Sequence, residues 1–511
     1  MANLNLPEYF YQSHQVRELE ALVCEHSGVA SIQLMKRAGT AAFHLARELW
    51  PNCDNLVVLC GGGNNGGDGY VVAALAAQKG VNVRVLAAVD PAQLTGDAER
   101  AYRYALQESV VVEFVNDWSK PSIDDANTVL VDALLGIGLM GDVRAPSAAA
   151  IAFVNRSGLP VLALDVPSGL CADSGAVLGS AVVATATLSF VAIKPGLVSG
   201  AVNHVGELYL EDLGLQRLRQ VNEGFEQALS VVKPALKRVT TNGELEALQP
   251  RDASAHKGDF GHVMVIGGGA GFGGAVILAA EAAARSGSGL VSVATDPLHV
   301  VAVLARRPEL MAVGVPSGQE LELLLERPSV LVVGPGLGRS PWAEQMLQQA
   351  AATQKPMVLD ADALNILAAG RVLAKSGKRA NWVLTPHPGE AARLLNSTVD
   401  AVQRDRYSAA RNLQAIYGGV VVLKGAGTVI ASDQGLMVAC VGNPGMASGG
   451  MGDVLAGVIG GLMAQGLSPL NASTLAVCVH GDAADLAVLD GGERGMLASD
   501  LIPYMRELLN P

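Results

Sequence analysis

The sequence predicts an α/β protein of two domains, and three features carry that expectation. Short apolar runs such as Leu56-Val57-Val58-Leu59 and Val330-Leu331-Val332-Val333 recur with helix-compatible segments between them. Strands that short, alternating with helices, indicate parallel pairing with both sheet faces covered. Several runs empty directly into Gly, Asn or Asp, the strand ends where open α/β sheets hold ligands. At 511 residues the chain is also too long for one ordinary core, so roughly two to four domains are expected.

In chain order, the first half opens with a helical stretch from about Val16 to Leu49, with Met35 and Leu45 facing inward. Strands follow at Leu56–Leu59, Val83–Leu86, Val129–Val131 and Val161–Leu164, separated by helical segments such as Val71–Gln78 and Asp97–Leu106. Between Leu215 and Arg251 the pattern becomes charged and aperiodic, as inter-domain connections are. This places one domain over residues 1–220 and a second over 225–511. The second half restarts at His262-Val263-Met264-Val265-Ile266 and continues through Val330–Val333, Met357–Leu359, Trp382–Leu384 and Val420–Leu423. The two halves share Gly-rich loops but no repeated flanks, so no duplication is read.

Composition narrows the function. Lys and Arg number 36 against 48 Asp and Glu, a net charge of −12, which leaves no basic footprint for nucleic acid. With 59 glycines and only 4% aromatics, the chain suits close backbone approach to small ligands. Six scattered cysteines without a C-x-x-C pair read as buried small hydrophobes in a reducing compartment. A polar stretch from Met1 to Gln15 lacks the apolar core of a signal peptide, and no uninterrupted apolar run is long enough for a bilayer. A cytoplasmic enzyme with no nucleic-acid or membrane partner is expected.

The strongest motif of the first half is Gly61-Gly62-Gly63-Asn64-Asn65-Gly66-Gly67-Asp68-Gly69, after a strand and opening a helix. Its glycines permit positive φ and close backbone approach, so its amides suit a phosphate. A G-x-G-x-x-G spacing occurs within it, but no acidic residue ends a strand at the ribose-binding distance, which disfavours a redox Rossmann domain. Two more strand ends, Asp132–Gly138 and Asp165-Val166-Pro167-Ser168-Gly169, converge on the same edge. An Asn, an Asp and a Ser offer oxygen ligands only, as a hard cation requires. Helix capping is the alternative for Asp132 and Asp165. Lys194, between an apolar strand and a turn, is a candidate for a buried cation near an anion, with a solvated turn lysine as the alternative.

In the second half, Asn443-Pro444-Gly445-Met446-Ala447-Ser448-Gly449-Gly450-Met451-Gly452-Asp453 is the most informative segment, followed at once by an apolar helix. Glycines before a helix expose amides to an anion, and Asp453 beside them is placed to handle a proton. The alternative is a tight turn with Asp453 as N-cap. His256–Gly261, Gly334–Gly338, Asp360–Asn365, Thr385–Glu390 and Lys424-Gly425-Ala426-Gly427-Thr428 accompany it. The last offers amides plus one cation to a polyphosphate but lacks the full Walker A pattern.

These motifs carry a resemblance over nearly the whole chain. The second half resembles the ribokinase-like family and, more narrowly, the NAD(P)H-hydrate dehydratases. The first half resembles the NAD(P)H-hydrate epimerases, and their fused order is that of the bifunctional bacterial repair enzymes. The resemblance implies a Rossmann-like three-layer sandwich followed by a ribokinase-like one. It implies an epimerase for the R and S forms of hydrated NADH and NADPH, and a dehydratase that consumes ADP to dehydrate the S form back to NADH or NADPH.

Asn64, Asn65, Gly66, Gly67 and Asp68, with Gly136, Ile137, Gly138, Leu139, Met140, Gly141 and Asp142, would then line the epimerase site. Asp165 would join them, and Asp165 and Lys194 are its candidate catalytic residues. Asn65, Asp132 and Ser168 match the potassium (K+) ligands. In the dehydratase, Ala275, Gly338 and His387 match substrate contacts. Lys424, Gly425, Ala426, Gly427, Thr428 and Gly452 match nucleotide contacts, and Asp453 matches the catalytic carboxylate. Magnesium (Mg2+) is expected from the phosphoryl chemistry, and a homo-oligomer is expected. The alternative enzyme is a small-molecule kinase for a vitamin precursor with a non-catalytic first half, which the first half's own motifs disfavour.

Overall fold

The computed structural model describes residues 6–123, 127–372 and 377–510. It falls into two compact units, Leu236 closing the first and Lys237 opening the second.

The first unit carries a seven-stranded sheet. Its strands are β1 (Asn55–Cys60), β2 (Asn82–Ala87), β3 (Val111–Phe114), β4 (Thr128–Ala133), β5 (Val161–Leu164), β6 (Ala186–Phe190) and β7 (Glu207–Glu211). The order is β3-β2-β1-β4-β5-β6-β7, every neighbouring pair is parallel, and the arrangement is Rossmann-like. From β1 the chain winds out to β3 and returns to β4 on the other side of β1. That reversal opens a crevice at the carboxyl ends of β1 and β4, where Gly61 and Leu134 leave the sheet.

Two expectations change here. The helical stretch expected over 16–49 is two helices, Ser13–Ser27 and Ser31–Leu49, because Gly28 adopts a left-handed conformation at φ 66°. Met35 is buried and Leu45 only partly so. The helix expected from Val71 begins at Asn64, so Asn64 and Asn65 form its first turn. The neighbouring glycines are there for packing, since none of Gly61 to Gly69 has a positive φ. A methyl on Gly66 would meet the Gly61 carbonyl oxygen at 2.0 Å, and one on Gly69 would meet Ala133 at 2.6 Å. The helix is thereby seated on the ends of β1 and β4.

The region 215–251 is not an unstructured connection. Helices Leu215–Val221 and Glu223–Leu229 close the first unit. Phe225 is fully buried in that unit's core, with His26 edge-on to it at 5.4 Å. The first unit therefore extends past the expected limit of residue 220.

The second unit's strands are β8 (Leu236–Val239), β9 (His262–Ile266), β10 (Leu290–Thr295), β11 (Met311–Gly314), β12 (Val330–Val333), β13 (Met357–Leu359), β14 (Trp382–Leu384), β15 (Val420–Leu423), β16 (Thr428–Ser432) and β17 (Gly435–Ala439). They order as β8-β17-β16-β15-β14-β13-β12-β9-β10-β11. β16 is antiparallel to both of its neighbours, and the other pairs are parallel. The winding reverses between β9 and β12, so Gly267 and Gly334 flank a second crevice. Helix Met451–Ala464 is apolar on nearly every side and buried along its length. Its glycines allow close approach on two sides. A methyl on Gly457 would lie 2.1 Å from the Ala279 carbonyl oxygen, and one on Gly460 would lie 2.4 Å from Val332. One helix, Pro469–Gly491, is long and apolar enough to cross a membrane, and most of it is buried inside this unit.

Candidate active sites

At the β1/β4 crevice, a strand end, a helix start and a turn bring three oxygen-bearing side chains together. The Asp132 carboxylate accepts from the Ser168 amide at 2.8 Å and from the Ser168 hydroxyl at 2.6 Å. The Leu135 amide donates to Ser168 Oγ at 2.8 Å. A methyl on Gly136 would stand 3.2 Å from Asn65 Cβ, so the Gly136 loop lies against Asn65. Asp132 and Ser168 are fully buried, and neither Asn65 amide atom has a partner. A buried amide without partners costs about 1–3 kcal/mol, and an oxygen-binding cation would satisfy its carbonyl. The donor set fits K+, with two neutral oxygens and one carboxylate. Burial lifts the Asp132 carboxyl to about 6 against the pull of Ser168 and Leu134. Asp132 is not a helix cap.

Asp165 and Lys194 form a buried ion pair. Lys194 also donates to Ser189 Oγ at 3.0 Å and to the Phe190 carbonyl at 2.8 Å, and is 0% exposed. The solvated alternative for this lysine is thereby replaced. Asp165 accepts from the Phe190 amide at 3.2 Å and holds φ at 65°. Non-glycine residues in that region are costly and cluster at functional sites. Burial, then the negative charge of Asp165, pushes the Asp68 carboxyl well above its usual range, and Glu20 follows for the same two reasons.

Sequence reasoning missed Glu20 and its neighbour Arg17, whose Nη2 donates to the Ile137 carbonyl at 3.4 Å. On the amphipathic helix Ser13–Ser27 they carry no signal beyond an ordinary i, i+3 charge pair. The segment 136–142 leaves Met140 91% exposed and turns at Gly141, φ 74°.

In the second unit, four parallel strand ends line one edge. Gly334 follows β12, Asp360 follows β13, Thr385 follows β14 and Lys424 follows β15. The buried Asp360 accepts from Thr385 Oγ1 and from Lys424 Nζ, each at 2.7 Å. Gly452 faces that pair, since a methyl there would sit 3.1 Å from Lys424 Nζ and 3.7 Å from Asp360 Oδ2. The N-cap of helix Met451–Ala464 is Gly450 at φ 92°, with Asp453 in the first turn, so Asp453 is not the cap.

Burial first, then Asp360 and Glu390 against the pull of Lys424, lifts the Asp453 carboxyl to about 7. Burial likewise lifts Glu390 to about 7. Burial pulls Lys424 down, but Asp360 and Glu390 outweigh it and its value is raised.

His387 caps helix Pro388–Leu394, its Nδ1 accepting from the Gly389 amide at 3.0 Å, and Glu390 lies 3.3 Å from its Nε2. Burial and then Lys424 lower its pKa, so it is neutral near pH 7. Asp362 fixes Gly338 by accepting from its amide at 3.0 Å. A methyl on Gly336 would touch Ala275 Cβ at 3.0 Å, which puts Ala275 beside the same loop. Asp360, Glu390 and the fully buried Arg406 beneath the loop 424–428 are additions to the expected set. The first two lay in motifs the sequence displays, whereas Arg406 sits in an unremarked helix.

Two surface hollows, of about 1060 Å³ beside Arg251 and about 1200 Å³ beside Arg217, share no residue with these sets.

Comparison with known proteins agrees across both units. The family model described as NAD(P)H-hydrate dehydratase matches residues 263–507, and that described as YjeF-related protein N-terminus matches 31–196. The bifunctional NAD(P)H-hydrate repair enzyme Nnr of Coxiella burnetii is 47% identical, over 98% of this chain and 99% of its own. That of Escherichia coli (strain K12) is 41% identical, over 99% and 95%. The ADP/ATP-dependent NAD(P)H-hydrate dehydratase structure from Bacillus subtilis, co-crystallised with ATP/Mg2+, is 29% identical over 53% of this chain and 96% of its own, with a TM-score of 0.48.

Proposed function

Because this chain belongs to the bifunctional NAD(P)H-hydrate repair enzymes, with an epimerase and a nucleotide-dependent dehydratase in one polypeptide, we propose which of its residues carry each step. The overall activity is repair of hydrated NADH and NADPH. The first unit, centred on the expected 1–220, would interconvert the R and S hydrates, and the second, centred on 225–511, would dehydrate the S form.

In the epimerase, the hydrated ring is a hemiaminal at C6, so inverting that carbon requires proton transfer to and from its oxygen. Asp165 is the proton-handling group in this reading. Lys194 pairs with it and aims it, and Asn64 to Asp68 and Gly136 to Asp142 enclose the ring. Asn65, Asp132 and Ser168 would hold K+, which supplies fixed positive charge beneath the ligand. The partnerless Asn65 amide is the observation that favours it.

In the dehydratase, Asp453 takes the proton from the C6 hydroxyl while the terminal phosphoryl of ADP passes to that oxygen. AMP departs, the ring nitrogen expels phosphate, and loss of a C5 proton forms the C5–C6 double bond. Lys424, Gly425, Ala426, Gly427, Thr428 and Gly452 would hold the nucleotide, and Ala275, Gly338 and His387 the substrate. Among the described residues no three His, Cys, Asp or Glu side chains converge as a metal site. Mg2+ would accompany the nucleotide's phosphates and offset their charge. Six free cysteines favour a reducing, cytoplasmic setting, and a homo-oligomer acting on small molecules completes the reading.

The observation that carries this proposal is the place of Asp453, in the first turn after Gly450 and next to Gly452, which faces the Lys424–Asp360 pair, where burial lifts its carboxyl to about 7. A base at that value operates near neutral pH. Incubating separated R and S hydrates with ADP, with ATP and with neither, and following the absorbance of restored dihydronicotinamide, tests it. The S form should respond to ADP alone, and the R form only as fast as it epimerises. Restoration without nucleotide would overturn the phosphoryl route.

A further inference from the structure

We propose that Arg406 is a positioning residue for nucleotide binding, holding the loop 424–428 from beneath so that its outer face stays open to phosphate. The inference rests on the reading of that loop as the nucleotide site.

Arg406 belongs to helix Arg406–Tyr417 and is 1% exposed, the largest fully buried side chain among the described residues. Its Nη2 lies 3.2 Å from the Leu423 carbonyl oxygen, 3.3 Å from that of Lys424 and 3.5 Å from that of Gly427. Its Nη1 donates to Gln403 Oε1 at 3.1 Å. One guanidinium thus gathers carbonyls from both ends of the turn between β15 and β16.

Peptide planarity then dictates the other face. In a trans peptide the C=O and the following N–H point in opposite directions. With the Lys424 carbonyl directed at Arg406, the Gly425 amide points away from it, on a residue that is solvent-exposed. Gly425 holds φ at 142°, and a methyl there would lie 2.8 Å from Arg406 Nη1. The glycine is what allows the arginine to come so close. Lys424 projects from the same turn toward Asp360 and Gly452. Arg406 thus sets both the direction of the Gly425 amide and the root of the lysine. It also adds a second positive charge behind the phosphates, in surroundings where water screens little. Burial pulls its value down only to about 10, so it stays charged at neutral pH.

The test measures dehydration of the S hydrate by full-length Arg406→Gln, Arg406→Lys and Gln403→Ala, with epimerisation by the same polypeptide as an internal control. Arg406→Gln should raise the KM for ADP at least tenfold while kcat at saturating ADP stays within about threefold. Arg406→Lys keeps the charge without the fork, so its KM should fall between. Gln403→Ala removes only an outer brace on an exposed residue, and should raise KM by about two- to threefold. Epimerisation should not change.

An unchanged KM in Arg406→Gln overturns the proposal, as does a fall in kcat with KM unaltered. Should Arg406→Gln fail to fold, Arg406→Lys and Gln403→Ala decide, and wild-type KM in both overturns it. Thr428→Ala separates this inference from the reading beneath it. If that variant also leaves KM for ADP untouched, the loop is not the nucleotide site. If it raises KM while the Arg406 variants do not, the loop reading stands and the positioning role fails.

Discussion

Lys424 reaches across from the end of β15 to Asp360 at the end of β13, Nζ to Oδ1 at 2.7 Å, with the Gly452 backbone packed against the pair. The ion pair governs Asp453 by two opposed effects. Burial, the largest cause, adds to the raising effect of Asp360 and outweighs the lowering effect of Lys424, leaving the value at about 7. Dehydration should accordingly show a rising limb centred near pH 7, because the base works only when ionised. Glu390 titrates at about the same value beside it, so the limb belongs to the coupled pair and will be broader than one ionisation. A flat profile between pH 6 and 8 would contradict this.

The same shift makes Asp453 a stability liability. A carboxyl whose folded value lies above its unfolded value favours the folded state when protonated, and that contribution is lost as pH rises through about 7. Asp453→Asn removes the charge and nearly keeps the shape. Its dehydration rate should drop by ~10² to 10⁴, while the thermal midpoint of the second unit rises by several degrees at pH 8 and hardly moves at about pH 4, the ordinary carboxylate value. Calorimetry at the two pH values checks the stability half. Equal midpoints for variant and parent at pH 8 would mean that the carboxyl is not held in the way described.

Much of this arrangement is legible in the sequence, and the physics explains which parts. β12 and β15 are apolar throughout, and β1 and β4 carry apolar cores at Leu56–Leu59 and Val129–Val131, because both sheet faces are covered, so length and hydrophobicity alone find them. Asn65, Asp132 and Ser168 are visible because side chains with oxygen donors at or just after strand ends are chemically conspicuous. Gly66 and Gly69 are conspicuous too, yet they signal unusual φ and in fact provide space for a helix against strand ends. Arg406 and Glu20 are hidden, since charged residues on amphipathic helices ordinarily face water. The helices at 215–229 were masked by their charged and amide side chains, which outnumber the few apolar contacts made by Leu215, Leu218, Phe225 and Leu229.

Lys194→Met should abolish epimerisation and also weaken the first unit. The lysine is 0% exposed, and removing one partner of a buried ion pair typically costs 3–5 kcal/mol, roughly what an unpaired carboxylate there implies. Asp165→Asn together with Lys194→Met removes both charges. It should recover much of the lost stability and none of the activity, as denaturant unfolding and R/S equilibration would show. A double variant no more stable than Lys194→Met would place the penalty elsewhere.

If Asn65, Asp132 and Ser168 hold K+, replacing potassium with sodium or choline should lower the first unit's melting temperature and slow epimerisation. Dehydration of the S hydrate should not change. Asp132→Ala should remove the potassium dependence together with most of the epimerase activity. A potassium-independent melting temperature in the parent protein would rule the cation out.

Dividing the chain tests the domain reading, and the position of the cut is decisive. Phe225 is fully buried in the core of the first unit, stacked edge-on by His26, and Leu236 is where that unit ends. A fragment of residues 1–220 lacks this side chain. Losing a buried phenylalanine costs about 3–5 kcal/mol even when only its ring is removed, a large share of a unit's net stability. Residues 1–236 should therefore fold cooperatively and epimerise the hydrates without nucleotide, whereas residues 1–220 should melt much lower or aggregate through the exposed apolar patch. Residues 237–511 should dehydrate only the S hydrate and only with nucleotide, and the 1–236 and 237–511 fragments mixed should repair an R/S mixture completely. Phe225→Ala in the full chain should lower the first melting transition and leave dehydration intact, which separates a packing loss from a cut through an active site. Folded 1–236 and 237–511 fragments that work only when joined in one chain would mean that an active site is shared, and the assignment of one activity to each unit would fall.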